Sequence, residues 1–223
     1  MAKFKNAKLL IFENILNEIK KRKQKNRAFV LGINGIDGSG KTEFAKNFKK
    51  FLLSQKINAQ IIHIDDFCNS KSIRHSGNDQ VYNCFYKTFK IDYIVKNLLI
   101  PIQENSDFTT DLTLLDLDTD KYEIKKKYTC DKRTIIIFEG VYLFRKEFIS
   151  YIDYKIFLDI SLNECIKRVK SRDGKDIIKK LNKKYLPAQC KYMKEFLPLE
   201  IADMIVNNFD WDSPKIKINS DYK

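Results

Sequence analysis

Residues 28–42 read AFVLGINGIDGSGKT, an apolar run followed by a glycine-rich segment that ends in Lys41 and Thr42. The chain contains only 7 glycines, yet several of them fall between residues 32 and 40. The segment Gly35–Thr42 has the spacing G-x-x-x-x-G-K-[ST] of a P-loop, and it lies between an apolar run and a helical pattern, as that motif requires. We therefore predict a loop that binds the phosphates of a nucleotide. The alternative, an ordinary glycine-rich turn, leaves the clustering unexplained.

The residue types in this loop suit phosphate binding. Glycines let the backbone curl so that successive N–H groups point at phosphate oxygens, and a helix starting near Lys41 adds the positive end of its dipole. In such loops the lysine reaches the β- and γ-phosphates and the threonine hydroxyl binds Mg²⁺. The predicted nucleotide-binding residues are Gly35, Asp37, Gly38, Ser39, Gly40, Lys41 and Thr42.

Four short apolar runs have the β-branched composition of strands that are buried on both faces. They are AFVLGIN (28–34), AQIIHI (59–64), TIIIFE (134–139) and YKIFLDI (154–160). Helical patterns lie between them, so strand and helix alternate along the chain. This order predicts an α/β fold with a mainly parallel sheet flanked by helices, joined by right-handed crossovers.

Two further stretches decorate the predicted sheet. Residues 67–90 are polar and aromatic, and residues 107–131 alternate in the manner of a small, partly exposed hairpin. Ligands of open α/β sheets bind at the carboxyl ends of the strands, so we expect these insertions to cover a substrate. With 223 residues, the chain has the length of one decorated domain.

An amphipathic helix is predicted before the first strand, over residues 6–22, because apolar residues recur there at spacings of three and four. They are Leu9, Leu10, Phe12, Ile15, Leu16 and Ile19. We expect residues 1–27 to form a basic helix packed on the core, and residues 28–223 to form a single domain.

Carboxylates follow two of the predicted strands. HIDDF places Asp65 and Asp66 after the second strand, and IIIFEG places Glu139 at the end of another. An aspartate at such a strand end can accept a proton from an attacking hydroxyl or organise the Mg²⁺ shell, and an acid like Glu139 can hold Mg²⁺. The predicted metal residues are Thr42, Glu139 and Asp65. The alternatives are a solvated turn or helix cap for the aspartates and a structural role for Glu139.

A basic helix is predicted in SLNECIKRVKSRDGK, where Ser161 and Glu164 form a capping box. Arg168 and Arg172 are four residues apart and share a face of this helix. Arginine binds phosphate bidentately, so the pair predicts a basic lid over the transferring group. The alternative is a pair of surface ion pairs.

The two histidines receive weaker assignments. His63 lies within a predicted strand, and such a residue is more often a packed core residue than a catalytic group. His75 lies on a polar loop, from which it can reach a substrate.

The net charge of +13 points to anionic partners, and more than half of it falls in residues 1–27, where the run KKRKQKNR lies. We interpret the run as the solvated end of a helix rather than a nucleic-acid patch. The 5 cysteines form no CxxC pair, and the chain starts without an apolar signal segment. It also has no apolar run of about 18 residues that could cross a membrane. We therefore expect a reduced, soluble, cytoplasmic protein.

Together these motifs resemble the uridine kinase-like P-loop kinases, a family that includes nicotinamide riboside kinases, phosphoribulokinases and bacterial pantothenate kinases. GIDGSGKT is similar to their P-loop, HIDDF to their Asp-x-Phe strand end, and IIIFEGVYLF to their Glu-Gly strand. FYKTFKIDYIVKNLLIPI resembles their helix that ends in a proline, and RVKSRDGKD resembles their lid. YLPAQCKYM and IADMIVNN resemble their closing helix and last strand, so the likeness spans about residues 28–208.

The resemblance implies a five-stranded parallel sheet, ATP with Mg²⁺ as the phosphoryl donor, and a small-molecule hydroxyl as the acceptor. It also implies that Asp65 is the base toward the acceptor and that Arg168 and Arg172 contact phosphates, with Lys41 as the remaining catalytic group. Two positions depart from the family. Cys68 replaces its usual tyrosine, and LLDLDTD replaces its nucleoside-binding stretch, leaving Asp116 as the one match.

The predicted function is ATP-dependent phosphorylation of a small-molecule hydroxyl, with the 5′-hydroxyl of uridine or cytidine as the first choice. Nicotinamide riboside, pantothenate or a sugar phosphate stay open as acceptors. A non-catalytic P-loop module that binds nucleotide or nucleic acid is the alternative of another class. We expect no membrane or nucleic-acid partner, and a homo-oligomer stays open.

Overall fold

The computed structural model describes residues 2–217, with side chains described from Ala7 onward. Its strands are β1 (Phe29–Gly35), β2 (Ala59–His63), β3 (Asp107–Asp116), β4 (Lys121–Asp131), β5 (Ile135–Gly140), β6 (Tyr154–Asp159), β7 (Met204–Asn207) and β8 (Lys215–Lys217). Its helices are α1 (Ala2–Arg22), α2 (Lys41–Ser54), α3 (Lys71–Arg74), α4 (Gln80–Tyr82), α5 (Ile91–Ile94), α6 (Ile100–Glu104), α7 (Lys146–Ile149), α8 (Leu162–Asp173), α9 (Ile177–Lys180), α10 (Leu186–Phe196) and α11 (Pro198–Ile201).

Several of the shorter helices belong to longer helical stretches. A single π-helical turn, Asn83–Lys87, extends α4. Two more such turns join neighbouring helices: Val95–Leu99 joins α5 to α6, and Leu181–Tyr185 joins α9 to α10. A 3₁₀ turn, Ile64–Phe67, follows β2 directly. Among the described helices, none is long and apolar enough to cross a lipid bilayer.

The central sheet has the order β2-β5-β1-β6-β7-β8. Its first five strands are parallel, which confirms the α/β fold with a mainly parallel sheet. β1 and β5 lie in the middle and every residue in them is buried, because helices cover both faces of the sheet. Alternate side chains of β1 face opposite layers: Leu31 packs toward α1 and α2, and Val30 packs toward α10.

The sheet differs from the expected five parallel strands at its far edge. β8 pairs antiparallel with β7, so the sheet has six strands. At the other edge, β2 is only half-buried, since it has a neighbour on one side alone. The prediction that this strand is buried on both faces was therefore wrong.

The N-terminal helix α1 packs against α2, the helix that follows the glycine-rich loop. The ring of Phe12 lies between 5.3 and 5.7 Å from the rings of Phe44, Phe48 and Phe51. Burial of such a side chain contributes about 1.5–3 kcal/mol. The buried stripe includes Ile11, whereas Leu9 and Leu10, expected in the stripe, are exposed.

Basic residues at the end of α1 and directly after it attach that helix beside the sheet. Arg27 donates to both carboxylate oxygens of Asp153, at 2.7 and 2.8 Å, and Arg22 donates to Asp203 at 2.7 Å. Lys23 donates to the carbonyl oxygen of Thr134. Three of the nine basic residues in positions 1–27 therefore hold this segment on the fold.

The predicted hairpin is present as β3 and β4, which form a separate two-stranded sheet. The amide of Gln60, on the edge strand β2, bonds to the backbone of Lys127 and Thr129 on β4. The hairpin is thereby fixed beside the 3₁₀ turn that follows β2.

Candidate active site

The glycine-rich loop leaves β1 and leads into α2, as predicted. Gly38 and Gly40 have φ angles of 69° and 88°, a left-handed conformation that favours glycine. Ser39, between them, is fully buried, and its hydroxyl has no hydrogen-bond partner among the described residues. A curled backbone and a buried hydroxyl that can still donate a hydrogen bond are the features expected of a loop that binds phosphate groups.

Lys41 lies inside this curl. Its Nζ donates to the carbonyl oxygen of Ile36 at 2.9 Å, and the side chain is buried. The loop is also clamped from α10: Gln189 accepts from the Asp37 backbone N–H at 2.9 Å and donates to the Asp37 carboxylate at 2.7 Å. The clamp fixes the tip of the loop, which must keep its shape around a ligand.

Thr42 and Glu139 come together as the sequence predicted for a metal site. The Thr42 hydroxyl donates to Glu139 Oε1 at 2.9 Å, and Glu139 is buried at the end of β5. Among the described residues, no three His, Cys, Asp or Glu side chains cluster as a complete metal site. The donor set nevertheless fits Mg²⁺ bound with a nucleotide, because that ion takes few protein ligands and several from phosphates and water.

His63 is a further member of this group, and the sequence did not assign it there. Its Nδ1 contacts Glu139 Oε1, and its side chain is partly open to solvent. The expectation of a packed core residue was wrong, because β2 is an edge strand. His63 and Thr42 thus contact the same carboxylate oxygen of Glu139.

Asp65 lies in the 3₁₀ turn after β2. Its side chain is exposed in the cleft between this turn, the glycine-rich loop and the end of β5. Its pKa is raised, first because the surrounding cleft desolvates the carboxylate and further because Glu139 and Asp37 are negative; Lys41 opposes the shift. A carboxyl with a raised pKa is a stronger proton acceptor once ionised, which suits a general base.

Gly140 allows the turn with Asp65 to lie against the end of β5. A Cβ built on Gly140 collides with the side chain of Ile64, and the φ of this glycine is 153°. Any side chain at Gly140 therefore displaces the turn that carries Asp65.

Asp66 points away from the cleft. It pairs with Lys126, and it accepts from the Tyr128 hydroxyl at 3.4 Å. Burial and the nearby Asp66 raise the pKa of Tyr128. The partners of Asp66 thus lie on the hairpin, which folds back onto the turn, and do not include the helix cap that the sequence offered as an alternative.

The two arginines of α8 occupy different surroundings. One half of the predicted capping box is present, since the Ser161 hydroxyl accepts from the Glu164 backbone N–H, whereas the Glu164 carboxylate pairs with Arg168. Arg168 donates to Glu164 and to the carbonyl oxygens of Gly38, Asn208 and Phe209. Arg172 is more exposed and pairs with its neighbour Asp173.

Two adjoining cavities define the site. The first, about 370 Å³, is lined by residues from the loop, the strand ends and α8: Asp37, Gly38, Gly40, Lys41, Thr42, Glu43, Asp65, Glu139, Val141, Arg168 and Arg172. The second, about 230 Å³, shares Asp37, Asp65, Val141 and Arg172 with the first. It is otherwise lined mainly by apolar and aromatic side chains that include Phe89, Tyr142 and Tyr185. We name the first the phosphate cavity and the second the acceptor pocket, after the roles that the sequence predicts for the residues that line them.

Three positions singled out from the sequence lie elsewhere. Asp116 accepts from the backbone N–H groups of Asp118 and Thr119 at the hairpin turn. His75 is exposed, and Cys68 is buried with a raised pKa of about 12, caused chiefly by desolvation. None of these lines the acceptor pocket.

Sequence comparison and superposition identify what this chain is similar to. The profile of the Phosphoribulokinase / Uridine kinase family matches residues 30–206. A structure described as that of a possible uridine kinase from Bacillus stearothermophilus is 24% identical, with a TM-score of 0.73 over 91% of this chain and 98% of that chain. D-glycerate 3-kinase from Cryptococcus neoformans var. grubii is 12% identical, with a TM-score of 0.51 over 89% of this chain and 71% of that chain. No curated protein matches in sequence.

Proposed function

Since the chain belongs to the Phosphoribulokinase / Uridine kinase family and is a P-loop kinase, we propose that it transfers the γ-phosphoryl group of ATP to the 5′-hydroxyl of uridine or cytidine. One observation carries this proposal. Asp37 and Asp65 each line both the phosphate cavity and the acceptor pocket, and Gln189 engages the Asp37 carboxylate, which leaves Asp65 to act between donor and acceptor.

The loop residues supply the donor side of the reaction. Lys41 exchanges its bond to the Ile36 carbonyl for oxygens of the β- and γ-phosphates, and the buried hydroxyl of Ser39, which has no hydrogen-bond partner among the described residues, gains one. Thr42 and Glu139 are the residues that hold Mg²⁺, directly or through water. The ion, when bound, neutralises the charge that develops on the phosphates.

Asp65 acts on the acceptor side. It takes the proton from the acceptor hydroxyl, whose oxygen forms the new bond to the γ-phosphorus. The bond from that phosphorus to the β–γ bridging oxygen breaks, and ADP leaves with the electron pair. Arg172 lies at the junction of the two cavities, where it can neutralise the transferring group. Such catalysis consists largely of positioning and electrostatics.

The lining of the acceptor pocket favours an acceptor without negative charge. Its charged residues are Asp37, Asp65, Asp173 and Arg172, and the arginine is already paired with Asp173. An acceptor with a carboxylate or phosphate meets net repulsion here. The aromatic walls suit a nucleobase. Nicotinamide riboside, a cation, is the second candidate, because the same acidic lining attracts it.

The test is ATP consumption with uridine, cytidine, nicotinamide riboside, pantothenate and a sugar phosphate offered singly. We expect turnover with a pyrimidine nucleoside and loss of that turnover by about 10²–10³-fold in Lys41→Ala, the scale for removing one phosphate-stabilising group. Turnover restricted to pantothenate or the sugar phosphate contradicts the proposed acceptor. Activity unchanged in Lys41→Ala contradicts the donor site.

A further inference from the structure

Two segments outside the family match, α1 and the stretch that follows β7, contact each other next to the glycine-rich loop. Lys8 of α1 places its Nζ 4.8 Å from the ring centre of Trp211. The same Nζ lies 3.7 Å from a carboxylate oxygen of Asp212. The N-terminal helix thus contacts the stretch after β7 on the side of the fold where we expect the nucleotide.

The stretch after β7 is fixed to the loop itself. Asn208 donates to the carbonyl oxygen of Ser39 at 2.7 Å, and Arg168 bridges Gly38 to Asn208 and Phe209. The indole of Trp211 lies against Gly40, and a Cβ built on Gly40 collides with that ring. Gly40 therefore serves two purposes: it adopts the left-handed conformation of the loop, and it leaves space for the indole of Trp211.

A third cavity, about 640 Å³, lies between this stretch and α8. It shares Gly38, Gly40, Glu43 and Arg168 with the phosphate cavity, and Phe209 and Trp211 form its aromatic wall. Phe209 is 58% exposed, so an aromatic surface is open to a ligand here. A nucleotide whose phosphates occupy the loop has its base and sugar outside it, and this cavity adjoins the loop on the side of α8.

We propose that the indole of Trp211 is the surface on which the base of the donor nucleotide stacks, and that Lys8 is a positioning residue that holds the indole in place. The inference rests on the proposed function, because it takes the donor to be a nucleotide. Within the exposed turn around Trp211, Asp210 accepts from the backbone of Asp212 and Ser213. Lys8 adds a contact from outside the turn.

Trp211 is the only tryptophan of the chain, so its fluorescence reports this position alone. Mg²⁺ with ATP is titrated into the unmodified protein, and binding is followed both by tryptophan emission and by calorimetry. We expect a saturable change in emission with the dissociation constant that calorimetry gives. Binding heat without a change in emission overturns the inference and leaves the proposed function intact. Absence of binding heat overturns both.

Variants separate stacking from general damage to the loop. Trp211→Ala should raise the dissociation constant for ATP by about tenfold, which lies within the range for loss of one base–aromatic stack, and Trp211→Phe should retain most of the affinity. Lys8→Ala should raise it by about two- to fivefold, the scale of an exposed cation–π contact. Lys20→Ala, at an exposed position of the same helix, is the control and should change nothing.

Inorganic tripolyphosphate is the second ligand, because it occupies the loop and has no base. Its affinity should be the same in the unmodified protein, Lys8→Ala and Trp211→Ala. Equal losses of affinity for ATP and tripolyphosphate show a damaged loop and overturn the base-stacking role. Unchanged affinity for ATP in Trp211→Ala overturns it as well.

Discussion

At the scale of single residues, Asp65 couples stability to pH. Its folded-state pKa is raised above the ordinary value of 3.8, so the folded protein holds this proton more tightly than the unfolded chain. The free energy of unfolding therefore decreases as the pH rises from the ordinary pKa through the raised one. At neutral pH, ionisation of Asp65 therefore lowers the free energy of unfolding. The proposed base role requires this ionised form, because only a carboxylate can accept the proton.

This linkage gives a prediction for Asp65→Asn. The variant removes the ionisation and should have a higher melting temperature than the unmodified protein at about pH 7.5, with a smaller difference at about pH 5. Thermal unfolding of both proteins at the two pH values measures it. A variant that is less stable at the higher pH, or a difference that does not change with pH, contradicts the proposed environment of Asp65.

At the scale of elements, α8 carries two arginines whose contacts separate their roles. Arg168 joins the glycine-rich loop to the stretch after β7, whereas Arg172 lies at the junction of the phosphate cavity and acceptor pocket. Arg172→Ala should lower kcat by about 10²–10³-fold with little change in KM for ATP, because its interaction strengthens in the transition state. Arg168→Ala should mainly raise KM for ATP. Steady-state kinetics of both variants measure the contrast, and equal effects on kcat and KM in the two variants contradict it.

The hairpin is the second element with a testable role. It carries Lys126, which pairs with Asp66 in the turn that also carries Asp65. Asp66→Asn and Lys126→Ala should each lower kcat by less than about tenfold, and the double variant should lower it no further, because both changes remove one interaction. Kinetics of the three variants measure this, with Lys125→Ala on the same strand as the control. Additive losses show that Asp66 and Lys126 act independently.

At the scale of the whole molecule, sequence predicts what is local. The P-loop, the parallel strands and the helix start at Ser161 depend on neighbouring residues, and the structure has them within a residue or two of the predicted bounds. The Gln189 clamp on Asp37 joins residues 152 positions apart, and the bond from Asn208 to Ser39 joins residues 169 apart. No local pattern marks such pairs.

The far edge of the sheet shows the same limit. β8 has only three residues, and its pairing depends on where the stretch after β7 returns to the sheet. Likewise, the exposure of His63 follows from the position of β2 at an edge, which the strand order determines and the strand sequence does not. The sequence thus predicted the loop and the strand-end carboxylates of the candidate site. It did not predict Gln189, Asn208 and His63, which bond to them.

In the proposed mechanism, Asp65 stands where the acceptor hydroxyl meets the γ-phosphate. Rapid-quench measurement of a single turnover, with ATP labelled at the γ-phosphate and uridine as acceptor, tests this position of Asp65. Asp65→Asn should bind ATP with unchanged affinity and form labelled uridine monophosphate about 10²–10⁴-fold more slowly than the unmodified protein, the scale of a lost general base. Transfer at the unmodified rate by Asp65→Asn contradicts this position.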